Sequence, residues 1–175
     1  MPLNLNFRRL RSSRRLDLVV FGLIVLAGLA FLAVLPEREV AGAAGFARVI
    51  DGDSIVVQGT EIRLRGIDAP EAGQTCTRGG AQWDCGAQAS RHLRQMLEGR
   101  YVDCSGSGYD VHHRLLARCR IGEVEVNRAM VEQGWAVSYD DYADAERLAR
   151  LEHRGVWSGE FEQPHDWRVR HGRGG

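Results

Sequence analysis

Apolar and polar residues alternate along the stretch "ARVIDGDSIVVQGTEIRLR", residues 47–65. Alternation with a period of two is typical of strands that bury one face, and it predicts short strands at 47–50, 54–57 and 61–65. A tight turn at "DGDS" joins the first two strands, and a second turn at 58–60 joins the next two. The pattern therefore predicts an antiparallel meander.

In "CGAQASRHLRQMLEG", residues 85–99, the apolar residues recur with the spacing of a helix and share one face. Gly99 is expected to end this helix. Strands at 101–105 and 114–121 follow. A short helix is predicted from an N-cap at Asn127 to Gly134, and a longer one at about 142–154. These patterns indicate an α+β domain with about three helices.

A run of apolar residues without charge, 18–35, precedes this domain. Its length matches the shortest membrane-spanning helices, and the arginine-rich flank 1–17 favours a cytoplasmic N-terminus. We expect a transmembrane anchor, a linker at 36–45 and a domain in the periplasm or outside the cell. The alternative is a signal peptide cleaved at "AGA", Ala41 to Ala43, which would give a secreted protein.

Charge divides unevenly along the chain. There are 23 basic and 23 acidic residues, and all the basic ones are arginine. Five arginines and one aspartate lie within 1–35, which leaves 18 basic and 22 acidic residues for 36–175, a net charge of minus four. The domain therefore does not attract polyanions by a large overall positive field.

Four cysteines lie in the part that we expect to be exported: Cys76, Cys85, Cys104 and Cys119. An even count in an oxidising compartment predicts two disulfides, for which three connectivities are possible. A hairpin that sets Cys104 opposite Cys119 also sets Tyr109 opposite Arg114 around a four-residue loop, and it leaves Cys76 to pair with Cys85. A zinc site is the competing hypothesis, although no CxxC pair is present.

Charged residues interrupt the strand and loop "RLRGIDAPE", residues 63–71. In the strand, Arg63 points away from the face formed by Ile62 and Leu64. In the loop, the proline restricts the conformation of Ala69 and so fixes the direction of its carbonyl. Cationic and anionic groups are thereby brought to one corner.

Asp53 of the "DGDS" turn is expected beside this corner if the flanking strands pair. Asp53, Asp68 and the Ala69 carbonyl form a set of hard oxygen ligands that suits calcium. Two carboxylates are too few for a closed structural site, so we expect the metal to complete its shell with water and a phosphate.

The remaining charged side chains suit the chemistry of a phosphodiester. Glu71 is long enough to act as a general base toward water near the metal. Arg63 and Arg114 offer planar forks for phosphate oxygens, which gain charge when the phosphorus is attacked.

The segments "VIDGDSIVV", "IRLRGIDAPE", "HHRLLARC", "VNRAMVEQGWA" and "RGVWSG" resemble, in order and spacing, the staphylococcal nuclease (thermonuclease) family over residues 46–160. The resemblance implies a five-stranded OB-fold barrel with three helices, and calcium-dependent cleavage of DNA or RNA. By position it implies catalytic roles for Arg63, Glu71 and Arg114. It implies calcium ligands at Asp53, Asp68 and Ala69, and substrate contacts at His112 and Tyr139.

The loop "DVHHR" departs from the family, which has Asp-x-Tyr-Gly-Arg there, so that His112 replaces a tyrosine and His113 a glycine. We expect a monomeric nuclease without an organic cofactor, anchored to the membrane through its N-terminal helix. The alternative, favoured by the altered loop and the acidic charge, is a non-catalytic module that binds nucleic acid or an envelope polymer. In the C-terminal extension 161–175, "RVRHGRGG" is interpreted as a frayed, solvated end.

Overall fold

The computed structural model describes residues 18–27 and 41–172. The chain divides into two compact units, Met1–Arg38 and Glu39–Gly175. In the first unit, residues 18–27 are helical, and the rest of the predicted anchor 18–35 and the flank 1–17 lie outside the described residues. Within the described ranges no helix is both long enough and apolar enough to cross a membrane.

The second unit begins with a meander and ends with helices. Its strands are β1 (Ala41–Val49), β2 (Ser54–Val57), β3 (Thr60–Leu64), β4 (Ile67–Asp68), β5 (Cys76–Arg78), β6 (Ala81–Trp83), β7 (Tyr101–Tyr109), β8 (Leu115–Ile121), β9 (Val124–Glu125) and β10 (Val137–Ser138). Its helices are α1 (Cys85–Leu97), α2 (Val126–Glu132), α3 (Ala143–Leu151) and α4 (Pro164–Arg170), with a 3-10 turn at Gly155–Ser158.

Five of these strands form a closed barrel. The order β3-β2-β1-β7-β8 is antiparallel throughout, and a parallel pairing of β3 with β8 closes it, with Ile62 opposite Leu115 and Leu64 opposite Ala117. The apolar side chains of the alternating pattern fill the interior of the barrel. Buried there are Ile55, Ile62, Leu64 and Leu115. Burial of each such side chain is worth roughly 1.5–3 kcal/mol. The structure thus confirms the OB-like barrel.

The barrel starts earlier than the sequence predicted. Residues 41–45, assigned to the linker 36–45, form the first half of β1 and pair with β7, with Ala41 opposite Gly106 and Gly45 opposite Val102. A stretch of alanine and glycine has neither the alternation nor the β-branched side chains of a strand. Its conformation comes from the partner strand, which approaches so closely that a Cβ on Gly106 would lie 2.5 Å from the Ala41 carbonyl oxygen.

Both predicted disulfides are present. Cys104 is bonded to Cys119 across the β7–β8 ladder, and Cys76 is bonded to Cys85, which joins hairpin β5–β6 to the start of α1. No cysteine remains free, and this excludes the zinc alternative. The predicted hairpin register is wrong beyond the disulfide, because a bulge between Gly106 and Gly108 sets Tyr109 opposite Leu115.

Asn127 lies inside α2 instead of capping it, and Glu125 is the N-cap. The Asn127 side chain is fully buried, and its Oδ1 accepts the Cys119 N–H at 3.0 Å. Its Nδ2 donates to the carbonyls of Arg65 and Ala117 at 2.9 and 3.0 Å. The amide therefore fastens β8 to the end of β3, where the loop with Asp68 begins.

The described part of the C-terminal extension, 161–172, contacts the rest of the domain. This corrects the interpretation of "RVRHGRGG" as frayed for its first three residues, 168–170, which end helix α4. Thr77 and Glu160 exchange two backbone hydrogen bonds of 2.8 Å, and Gln74 Nε2 donates to the Glu162 carbonyl at 2.6 Å. These contacts hold the chain before α4 against the loop that follows Glu71.

Candidate active site

Arg63 joins two buried carboxylates. Its Nη1 donates to Asp53 Oδ1 and its Nη2 to Asp68 Oδ1, each at 2.9 Å. The strand register explains the first contact, because Arg63 of β3 pairs with Ser54 of β2, next to Asp53. The backbone N–H of Ala69 completes the corner by donating to Asp53 Oδ2 at 3.0 Å.

The corner carries more negative than positive charge. Asp53 is 4% exposed and Asp68 is 2% exposed. Burial raises the pKa of Asp53 to about 7; Arg63 opposes the rise, while Asp51 and Asp68 add to it. Burial also acts to lower the pKa of Arg63, but Asp53 and Asp68 outweigh it and the net direction is upward. Such a corner favours a further cation.

That further cation is Arg168 from helix α4. Its Nη1 and Nη2 donate to Asp68 Oδ1 and Oδ2 at 2.7 and 2.9 Å, and Nη1 also donates to Glu71 Oε1 at 2.9 Å. The Arg168 side chain is 21% exposed. Its hydrogen bonds to Asp68 are the main reason that the pKa of the guanidinium is raised. Charge-assisted bidentate pairs of this kind are among the stronger hydrogen bonds of proteins.

A rigid turn presents Glu71. The Glu71 N–H donates to Oε1 of the buried Gln74 at 3.1 Å, and the Gln74 N–H returns to the Glu71 carbonyl at 2.8 Å. Helix α1 packs directly on this turn, where a Cβ on Gly86 would lie 1.6 Å from the Glu71 carbonyl oxygen. Any other residue at position 86 would displace the turn and move the Glu71 carboxylate.

Asp110 holds the second predicted arginine. Its Oδ2 accepts from Arg114 Nε at 2.7 Å, and its Oδ1 accepts from the backbone N–H groups of Arg114 and His112 at 2.9 Å each. His113 takes the left-handed conformation that a glycine would take there, with φ of 61°. The "DVHHR" loop therefore preserves the turn, and Arg114 Nη1 lies 3.4 Å from Ser54 Oγ.

One cavity of about 920 Å³ gathers most of the predicted site. Its lining includes the following predicted residues: Arg63, Asp68, Glu71, His112, Arg114 and Tyr139. Arg168 lines it as well, whereas Asp53 and Ala69 are buried and do not belong to its lining. The structure therefore brings together the residues predicted to be catalytic or substrate-binding, while their individual roles stay predictions.

The predicted calcium ligands have the right chemistry, since carboxylate and carbonyl oxygens are what a hard cation prefers. Burial is the main cause of the raised pKa of Asp53, and Asp51 and Asp68 add to it, so a bound cation would stabilise the ionised carboxylate. In the part of the chain that the structure describes, however, no three acidic, histidine or cysteine side chains are arranged as a metal site. Both Asp68 oxygens already accept hydrogen bonds from arginines. The donor set therefore fits calcium in kind, and at Asp68 calcium would meet the two arginines that already bind this carboxylate.

Sequence reasoning missed Asp110 and Arg168. Asp110 could have been found, because an aspartate four residues before an arginine in a short loop can bond both its backbone and its side chain. Arg168 had no local signal. It lies one hundred residues from Asp68 and reaches it only because the segment around Glu160 is bonded to β5.

A closed OB-type barrel whose arginines and carboxylates converge on one cavity defines the class of this domain. The chain belongs to the family described as "Staphylococcal nuclease homologue", whose model matches residues 61–159. Arg168 lies beyond the matched residues.

Three relatives illustrate the range of the family. The chain is 36% identical over 145 residues to "Succinoglycan biosynthesis protein ExoI" of Rhizobium meliloti (strain 1021), covering 76% of each chain. It is 30% identical over 128 residues to "Probable endonuclease LCL3" of Candida albicans (strain SC5314), covering 59% of this chain and 53% of that protein. It is 29% identical over 124 residues to "Probable staphylococcal-like nuclease CAN4" of Oryza sativa subsp. japonica, covering 67% of this chain and 23% of the relative. The chain thus spans about half the length of LCL3.

Proposed function

We propose that this chain is a calcium-dependent nuclease that hydrolyses phosphodiester bonds of DNA or RNA. The observation that carries the proposal is the convergence of Arg63, Glu71 and Arg114 on one cavity. A carboxylate can accept a proton from a water molecule, and two guanidinium groups can stabilise the phosphate that this water attacks. Membership of a nuclease family and the relatives named as endonucleases support the same reaction class.

In the proposed mechanism, Arg63 and Arg114 bind the non-bridging oxygens of the phosphate and stabilise the charge that develops there. Glu71 accepts a proton from the attacking water as its oxygen bonds to phosphorus, and the opposite P–O bond breaks. The leaving oxygen takes a proton from solvent or from a nearby acid. His112 and Tyr139 contact the substrate at the cavity wall.

Asp53, Asp68 and the Ala69 carbonyl would hold calcium. When bound, calcium would neutralise charge on the phosphoryl oxygens. We further propose that the domain acts as a monomer in the periplasm or outside the cell, held to the membrane by residues 18–35. The two disulfides support an oxidising compartment.

The second candidate is a non-catalytic module that binds nucleic acid or an envelope polymer. Two observations favour it. A relative carries the name of a succinoglycan biosynthesis protein, and Arg168 donates a hydrogen bond to the Glu71 carboxylate. A carboxylate oxygen that accepts a hydrogen bond from a guanidinium has one lone pair fewer to offer a water molecule.

The deciding experiment incubates the purified full chain with single-stranded DNA, double-stranded DNA and RNA, in calcium and in EDTA, and measures both cleavage and binding. The nuclease proposal expects cleavage in calcium that EDTA abolishes. Binding without cleavage in calcium would support the second candidate. A folded chain that neither cleaves nor binds these substrates would contradict the nuclease proposal.

A further inference from the structure

Helix α4 is attached to the domain mainly at its beginning and at Arg168. Before the helix, the Glu160 backbone bonds to Thr77 and the Glu162 carbonyl accepts from Gln74. Within the helix, Pro164 is the only residue classed as buried. Among the later residues Trp167 and Arg168 are half-buried, and Arg168 is the one that makes hydrogen bonds to Asp68 and Glu71.

The contacts of Arg168 use the electron pairs that a metal would need. Both oxygens of Asp68 and Oε1 of Glu71 accept hydrogen bonds from its guanidinium. A cation that coordinated Asp68 would also be repelled by the positive charge of Arg168 at this short distance. Calcium at Asp68 would therefore compete with Arg168, which already binds both oxygens of that carboxylate.

We propose that Arg168 is a built-in competitor of calcium, so that α4 closes the acidic corner and calcium binds only after Arg168 has left Asp68 and Glu71. This inference rests on the proposed function only for the identity of the metal. The hinge is the chain around residues 160–164, which stays bonded to the domain while the following turns move. Removing Arg168 raises the affinity for calcium, because binding no longer has to break its ion pairs.

Competition also predicts a movement. Since calcium and Arg168 compete for Asp68, calcium must shift α4 toward a state in which residues 165–170 are less protected. Their backbone amides should exchange with solvent faster when calcium is present. A purely structural ion pair would show no such dependence.

The test is isothermal titration of calcium into the full chain, its Arg168→Gln variant and its Arg170→Gln variant. Arg170 is a matched control, since it lies on the same helix and pairs with Glu162 at the surface, with a side chain that is 65% exposed. We expect Arg168→Gln to bind calcium about tenfold more tightly, within the usual range of coupling between competing ligands. The Arg170→Gln variant should bind like the wild type.

Hydrogen exchange of residues 165–170 with and without calcium provides the second readout, and we expect faster exchange with calcium in the wild type. If Arg168→Gln does not fold, Arg168→Lys replaces it, because lysine keeps the charge but loses the two-pronged fork. Its affinity should also exceed that of the wild type. Equal calcium affinities with and without Arg168 would overturn the competition, even if the chain cleaves nucleic acid in calcium. Cleavage without any calcium binding would overturn both the competition and the metal in the proposed function.

Discussion

Arg168 and Asp68 form a two-pronged ion pair, with Nη1–Oδ1 and Nη2–Oδ2 distances of 2.7 and 2.9 Å, although they lie one hundred residues apart in the chain. The pair brings a side chain from beyond the family match into the cavity that gathers most of the predicted site residues. The state of this site therefore depends on the C-terminal extension as well as on the barrel.

Arg63 is predicted to stabilise the fold because it compensates two buried carboxylates. Arg63→Ala should lower the free energy of unfolding by about 3 kcal/mol or more in EDTA, since it leaves Asp53 buried without its cation. Urea denaturation followed by circular dichroism at pH 8 measures this loss.

Arg120→Ala is the control for that experiment. Arg120 is a barrel arginine with a 48% exposed side chain, a long ion pair of 3.8 Å with Glu125 and an exposed hydrogen bond of 2.7 Å to the Glu123 carbonyl. Its removal should change the free energy of unfolding by less than about 1 kcal/mol. Equal losses in the two variants would contradict the role assigned to Arg63.

The Asp110 carboxylate is predicted to stabilise the fold near neutral pH and to lose this effect in acid. Burial acts to raise its pKa, but the hydrogen bonds from the backbone and side chain of Arg114, with that from His112, lower the pKa overall. A carboxylate with a lowered folded-state pKa stabilises the fold above its unfolded pKa of about 3.9, and this stabilisation is lost as the pH falls through the folded value.

Thermal unfolding of the wild type and of Asp110→Asn across pH tests this sign. The wild type should be the more stable of the two at pH 6 to 7, and the difference should shrink as the pH falls below about 4. A difference that grew toward acid pH would contradict the assignment.

Tyr139 is predicted to bind substrate without supporting the fold, since its side chain is 67% exposed at the cavity. Tyr139→Ala should weaken binding of single-stranded DNA by about 1–3 kcal/mol, the usual worth of stacking on one base. Fluorescence anisotropy in the presence of calcium measures it, with both variants made in the Glu71→Gln background so that the DNA is not cleaved during the measurement. Tyr101, exposed on the outside of β7, supplies the control; if Tyr101→Ala weakened binding as much, the cavity would not be the binding surface.

The barrel strands could be predicted because alternation reports directly which face of a strand is buried. Ile62 and Leu64 alternate with Arg63, and the structure buries the first two while directing Arg63 to the acidic corner. The same rule failed at 41–45, where alanine and glycine carry little information about burial and only the approach of β7 makes a strand.

The site residues likewise differ in how far the sequence alone predicts that they come together. Arg63, Asp68 and Glu71 lie within nine residues, so their proximity follows from a local motif. Asp110 carried a local signal in its spacing from Arg114, although its loop also needs a left-handed His113, a conformation that is uncommon outside glycine. The position of Arg168 beside Asp68 depends on tertiary contacts of the C-terminal segment, and such contacts leave no periodic pattern in the sequence.

The catalytic role of Glu71 is tested most directly by the rate of calcium-dependent cleavage of single-stranded DNA by the wild type, Glu71→Gln and Glu61→Gln. Both glutamates line the cavity, but Glu61 makes no contact that the mechanism uses. We predict that Glu71→Gln lowers the rate by about 10²–10⁴-fold, the usual contribution of a general base. Glu61→Gln should leave the rate nearly unchanged. Cleavage by Glu71→Gln at the wild-type rate would contradict the account of this site as the catalytic centre.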